Sequence, residues 1–206
     1  RKDPVTGETN RARFFDRDLQ VETVKILPGQ YHAARGEGSI STVLGSCVAT
    51  CLWDPVERIG GMNHFMLPGD AAPASSPWAV SARFGVYAME VLINEMVHLG
   101  ADRRRLVAKA FGGARVLQGF GTLDVGRRNA EFVLAFLQEE GIRLVAKDLL
   151  GVAPRKIHFF PATGQVRLKR LHLQSGDVLE SQEREYLSRL GEAGGGDVEI
   201  FPPRRP

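Results

Sequence analysis

Cysteine is scarce in this chain: Cys47 and Cys51 are the only two among 206 residues. That is too few for a disulfide-stapled secreted scaffold, so a reducing cytoplasm is the expected compartment. No run of about 18 apolar residues occurs and residues 1–9 are polar, so neither a direct membrane insertion nor a signal peptide is read. The sequence opens on Arg1 rather than methionine, and some N-terminal sequence is expected to be missing. Charge of one sign is lacking too, since 27 Lys and Arg face 24 Asp and Glu for a net +3. The arginine runs Arg103–Arg105, Arg127 with Arg128 and Arg204 with Arg205 are separated by acidic residues, so they read as solvated surface and a basic tail. No nucleic-acid partner is expected.

What is present fits a globular protein. Hydrophobic residues at 43% and charged ones at 25% exclude a disordered or fibrous chain, and the length suits one compact domain. Residues 1–18 are charge-rich and aperiodic, and are expected to form a loose arm with Phe14 and Phe15 docked on the body. Residues 19–190 form the expected main domain. Residues 191–206 follow as a glycine-rich flexible tail ending in an apolar hook around Val198, Ile200 and Phe201.

Within the main domain, strands are expected at 21–27, 40–53 with an interruption at Gly45-Ser46, 59–67, 106–111, 142–150, 156–160 and 166–173. Residues 70–78 read as a loop. Helical spacing predicts helices over 79–99 and 129–140, stopped by Gly100 and Gly141. Strands outnumber helices and mix hairpins with helical crossovers, which argues for an α/β or α+β fold built on a mixed sheet.

One stretch carries chemistry. Asp54-Pro55-Val56-Glu57 suits a four-residue hairpin loop, which pairs Trp53 with Arg58. Counting back in that register sets Cys47 opposite His64 on one sheet face, close enough to hydrogen-bond. A thiol at its ordinary pKa of about 8.5 is mostly protonated at neutral pH, so an adjacent imidazole that takes its proton makes a nucleophile. Gly45 lets the backbone turn sharply before Ser46 and Cys47, so that nearby N–H groups can face an oxyanion. A slip of one residue would send His64 to the other face. Two other readings fit the same residues. Cys47 can be a small buried hydrophobe beside a core histidine. Alternatively, Cys47, Cys51 and His64 can join one of His32, His98, His158 or His172 around a metal, though at no recognised zinc spacing. Cys51 lies too far along an extended strand for a disulfide to Cys47 and reads as packing.

At these residues the chain resembles CheD, the family of chemoreceptor glutamine deamidases of bacterial chemotaxis. The resemblance rests on Leu44-Gly45-Ser46-Cys47-Val48, on Gly60-Gly61-Met62-Asn63-His64-Phe65-Met66-Leu67-Pro68, and on Lys109-Ala110-Phe111-Gly112-Gly113-Ala114. Arg128-Asn129-Ala130-Glu131-Phe132, Pro154-Arg155-Lys156, Phe160-Pro161 and Thr163-Gly164 extend it. It implies a single layered domain like that of toxin-type deamidases and a Cys-His-hydroxyl triad of Cys47, His64 and Ser41, with Thr42 beside Ser41 as the other hydroxyl. It implies hydrolysis of a glutamine carboxamide through a cysteine thioester, with no metal or organic cofactor. The implied substrate is the cytoplasmic helical domain of a chemoreceptor, and a CheC-type phosphatase is an implied further partner. A non-catalytic adaptor that binds receptors or such a phosphatase is the alternative function.

Overall fold

This computed structural model describes residues 11–68, 77–116, 124–171 and 176–193. The strands run β1 (Ala12–Asp16), β2 (Val21–Lys25), β3 (Tyr31–Arg35), β4 (Ser39–Leu44), β5 (Val48–Asp54), β6 (Ile59–Asn63), β7 (Val107–Gly112), β8 (Arg143–Leu149), β9 (Arg155–Phe160) and β10 (Gln165–Arg170). Helix α1 (Pro77–His98) follows β6, α2 (Val125–Glu139) follows β7, and α3 (Gly176–Ala193) follows β10. Two five-stranded sheets result, ordered β1-β2-β4-β9-β10 and β3-β6-β5-β7-β8. Each holds one parallel pair, β2 with β4 and β7 with β8, among antiparallel ones, so the fold is a mixed α/β domain as expected.

Strand β5 shows how the layers stack. Val48 and Leu52 on one face join Met89, Leu92 and Met96 of α1 and Val133 and Phe136 of α2. Ala49 and Cys51 on the other face join Ile40 and Leu44 of β4 and Ile157 and Phe159 of β9. A strand buried on both faces reads as a nearly continuous apolar run, as Val48 to Trp53 does. Helices α1 and α2 therefore cover one side of the β5 sheet and the β4 sheet covers the other. Among the described residues no helix is long and apolar enough to cross a membrane.

Several expectations change. The interrupted strand 40–53 is two strands in different sheets, and the chain crosses between layers at Gly45, Ser46 and Cys47. Residues 12–16, placed in the loose arm, pair antiparallel with β2, while Phe14 and Phe15 stay exposed rather than docked. Strand β3 has no counterpart in the sequence reading. Helix α3 has none either, and its last turn takes residues 191–193 from the expected tail. The hook at 198–201 lies outside the described residues. So does the loop at 70–78 except for Pro77 and Trp78, which open α1.

The β5–β6 hairpin closes one residue later on each strand than expected, with Asp54 opposite Ile59 and Trp53 opposite Gly60. Arg58 takes the left-handed conformation at φ 53° and completes a loop of residues 55–58. What holds Asp54 in the strand is its buried carboxylate. It accepts from Arg105 Nε at 3.1 Å and Nη2 at 2.8 Å, from Asp102 N at 2.9 Å, and from Val56 N at 3.0 Å and Glu57 N at 3.2 Å. Despite its burial, these donors hold the Asp54 carboxyl down at about 2. Folding thus gains from its ionised form above the unfolded value near 3.9, and the gain disappears as pH falls through about 2. Replacing Asp54 by Asn leaves Arg105 without its buried partner, and is expected to cost about 2 to 4 kcal/mol in urea melts at pH 7. An unchanged midpoint would show that the loop does not depend on this carboxylate.

Candidate active site

Only Gly45, Ser46 and Cys47 separate the end of β4 from the start of β5. Their carbonyls are each tied to the surrounding chain. Gly45 O accepts from Ala114 N at 2.7 Å, Cys47 O from Gly113 N at 2.8 Å, and Ser46 O from Asn129 Nδ2 at 2.8 Å. Asn129 is itself fixed in α2 by Leu67 N, which donates to its Oδ1 at 2.9 Å. The approach of β7 to this loop requires glycine, because Gly112 sits at φ 110° and a Cβ there would lie 2.1 Å from Cys47 O.

The N–H groups of the same three residues converge on one carboxylate, that of Glu183 in α3. Its Oε1 accepts from Gly45 N at 3.1 Å and Cys47 N at 3.2 Å, and its Oε2 from Ser46 N at 3.0 Å and Ser46 Oγ at 2.6 Å. Convergent backbone N–H groups beside a thiol are the form an oxyanion site takes. Cys47 is fully buried under this arrangement, and burial together with the adjacent Glu183 carboxylate pushes its thiol well above the ordinary range.

His64 sits just beyond β6, with its backbone held by Gln30 O at 2.9 Å and Gly29 N at 2.7 Å. A bridge between Val48 and Phe65 continues the hairpin register, which sets Ala49 opposite His64 and Met66 opposite Cys47. Relative to the expected pairing Cys47 has moved by two residues along the partner, an even slip, so the Cys47 and His64 positions keep the same face but are not opposed. The expected hydrogen bond between them is not made, because the hairpin closes later than the turn residues suggest. On that face His64 Nδ1 lies 2.7 Å from Thr42 Oγ1 of β4. Thr42 donates its hydroxyl proton to Ile26 O at 2.8 Å, so its oxygen accepts from His64. Nδ1 therefore carries the ring proton and Nε2 keeps its lone pair. Nε2 is buried without a hydrogen-bond partner, and burial lowers the imidazole to about 3, so it is a neutral base.

Ser41 does not make that contact. It is the neighbour of Thr42 on β4 and turns to the opposite face, where the register sets it beside His158 of β9. Cys51 is a free, buried thiol packed among Ala49, Met62 and Phe159, and burial raises its pKa strongly. Of the histidines considered for a metal, His32 bonds Arg11, His98 closes α1, and His158 faces Asp16 at 3.9 Å, while His172 lies outside the described residues. Among the described residues no three His, Cys, Asp or Glu side chains gather where they could hold a metal ion.

The family model described as CheD chemotactic sensory transduction matches residues 66–170. A probable chemoreceptor glutamine deamidase CheD 1 of Shewanella oneidensis is 50% identical over 190 residues, covering 92% of either chain. One from Dechloromonas aromatica is 52% identical over 92% of this chain and 94% of its own. The chain belongs to the CheD family. A third relative, the probable chemoreceptor glutamine deamidase CheD of Methylobacillus flagellatus, is 46% identical over 96% of this chain and 98% of its own.

Two side chains at the centre of this CheD-family site escape sequence reasoning. Thr42 enters it only as the neighbour of Ser41, and which of two adjacent strand residues faces the histidine is decided by the pairing of β4 between β2 and β9. Glu183 is 136 residues from Cys47 in sequence and carries no local motif, so nothing short of the packed helix shows it. Asn129, within the Arg128-Asn129-Ala130-Glu131-Phe132 stretch, holds the Ser46 carbonyl. A concavity of about 670 Å³ beside Arg127, Glu131, Asp148 and Arg170 lies elsewhere and includes neither Cys47 nor His64.

Proposed function

We propose that this chain deamidates glutamines of chemoreceptors, with Cys47 as nucleophile, His64 as base and acid, and Thr42, rather than Ser41, as the group that orients the imidazole. The observation that carries the reading is the pairing of His64 Nδ1 with Thr42, which leaves Nε2 as a buried lone pair on the face of Cys47. Names of the relatives, each a probable chemoreceptor glutamine deamidase, support the substrate. Burial raises the thiol and lowers the imidazole, so no thiolate–imidazolium pair forms at rest. Cys47 gives its proton to His64 as the sulfur attacks the side-chain carbonyl carbon of glutamine. The Gly45, Ser46 and Cys47 N–H groups face the oxyanion, and the imidazolium protonates the departing ammonia. Water, deprotonated by His64 Nε2, then hydrolyses the thioester to glutamate and restores the thiol.

The main domain expected over 19–190 would in this reading extend to β1 and the last turn of α3. Cytoplasmic placement follows from the receptor's helical domain, and a CheC-type phosphatase partner rests on the family resemblance. The direct test is intact mass measurement of a receptor fragment, each deamidation adding roughly one dalton and an adaptor adding nothing. Thr42→Val is expected to lower turnover roughly 10-fold to 100-fold by freeing the imidazole to rotate, whereas Ser41→Ala stays near wild type. The reverse ranking would return the orienting role to Ser41.

A further inference from the structure

Glu183 is fully buried, yet it lies in the middle of an apolar stripe. Leu179 precedes it by one turn and Tyr186 and Leu187 follow by one turn, and Leu187 enters the core shared by the two sheets. Ser181, Gln182, Arg184 and Glu185 on the other side of the helix are exposed. A carboxylate in such a stripe is costly unless donors compensate it. Here they do, and all four belong to the loop that carries Cys47. The floor beneath the helix is trimmed to receive it. A Cβ on Gly45 would lie 2.8 Å from Glu183 Oε1, and one on Gly29 2.7 Å from Tyr186 Oη.

We propose that α3 occupies the groove in which the substrate helix docks, with Glu183 parked as an internal mimic of the product carboxylate. The substrate is then an amphipathic helix that presents glutamine at the Glu183 position, with apolar residues spaced as Leu179, Tyr186 and Leu187 are. This rests on the deamidase reading and specifies what that deamidase recognises. The donors favour a carboxylate over a carboxamide at rest, and an ionised carboxylate, with no leaving group and a poorly electrophilic carbon, does not react with the thiol. Three N–H groups and a hydroxyl satisfy both oxygens of Glu183, whereas the NH2 of glutamine would face a backbone N–H. Glutamate is also the reaction's end point. With α3 seated, Cys47 has no exposed surface, so a receptor helix must displace α3 before the thiol is reached.

The test converts the mimic into a substrate. In full-length Glu183→Gln protein, Cys47 sulfur should bond to the side-chain carbonyl carbon of the introduced glutamine as the C–N bond breaks and ammonia leaves. Water should then cleave the thioester, so peptide mapping finds glutamate restored at position 183, while the double variant that also carries Cys47→Ala retains the carboxamide there. A carboxamide that persists at position 183 in a protein that still deamidates a receptor fragment overturns the mimic. Separately, Glu183→Ala should raise the rate of Cys47 alkylation by iodoacetamide at least about tenfold, with the fold checked by melting. Equal alkylation rates overturn the occupancy of the groove whatever the enzyme does to receptors. Faster alkylation in Glu183→Ala, with neither the receptor nor the glutamine of Glu183→Gln deamidated, would overturn the deamidase reading itself, and the substrate assignment with it.

Discussion

Cys47→Ala is expected to reduce deamidation of a receptor fragment by at least about 10⁴-fold, because no other group in the site can form the thioester. The protein should stay folded. The residue is buried between the two sheets, and losing one sulfur there costs about 1 to 2 kcal/mol, a fraction of ordinary domain stability. Cys51→Ala supplies the control. It removes an equally buried thiol from the same core, four positions along, and should lose comparable stability with turnover intact. Mass measurement on the receptor fragment and a melt of each variant decide the matter. Activity retained in Cys47→Ala, or lost only in Cys51→Ala, would remove the nucleophile from the mechanism.

Replacing His64 by Gln should lower turnover by about 10²-fold to 10⁴-fold, the usual worth of a positioned acid and base. The same substitution has a second readout that does not depend on activity. Burial holds His64 near 3, well below the ordinary histidine value of 6.5, so the folded protein keeps it neutral while the unfolded chain protonates it. Between those two values the unfolded state binds more protons, and stability therefore falls as pH is lowered from about 6.5 towards 3. At pH 5 this costs about 2 kcal/mol relative to pH 7. His32 and His158 are also lowered by burial and add to the wild-type loss, so the difference between wild type and His64→Gln isolates the one residue. Equal acid sensitivity in the two proteins would show that His64 is not held neutral by the fold.

The mixed α/β class was legible because strands such as the alternating β10 and helices such as α2 announce themselves by local period and by stopping residues such as Gly141. That Cys47 and His64 share a face, though not that they stand opposed, was legible for a related reason. A hairpin loop of fixed size fixes the parity of every residue behind it, and parity survived even though the loop closed one residue later on each strand. What failed was whatever depended on partners distant in sequence. The run 40–53 reads as one strand, since nothing local distinguishes a kink within a sheet from a passage between two sheets. Strand β1 looks like a polar arm because its stability comes from pairing with β2, and its own side chains stay largely in water.

The sequence by itself determined the fold class, the family, and the thiol and imidazole on a shared face, all carried by periodicity, turn chemistry and short motifs. The tertiary structure alone decided that Thr42 rather than Ser41 meets the imidazole, because the face β4 turns inward is set by its neighbours β2 and β9. It alone brought Glu183 onto the Cys47 loop, since a helix that buries a carboxylate at the centre of its apolar stripe shows its purpose only when the donors it satisfies are in place.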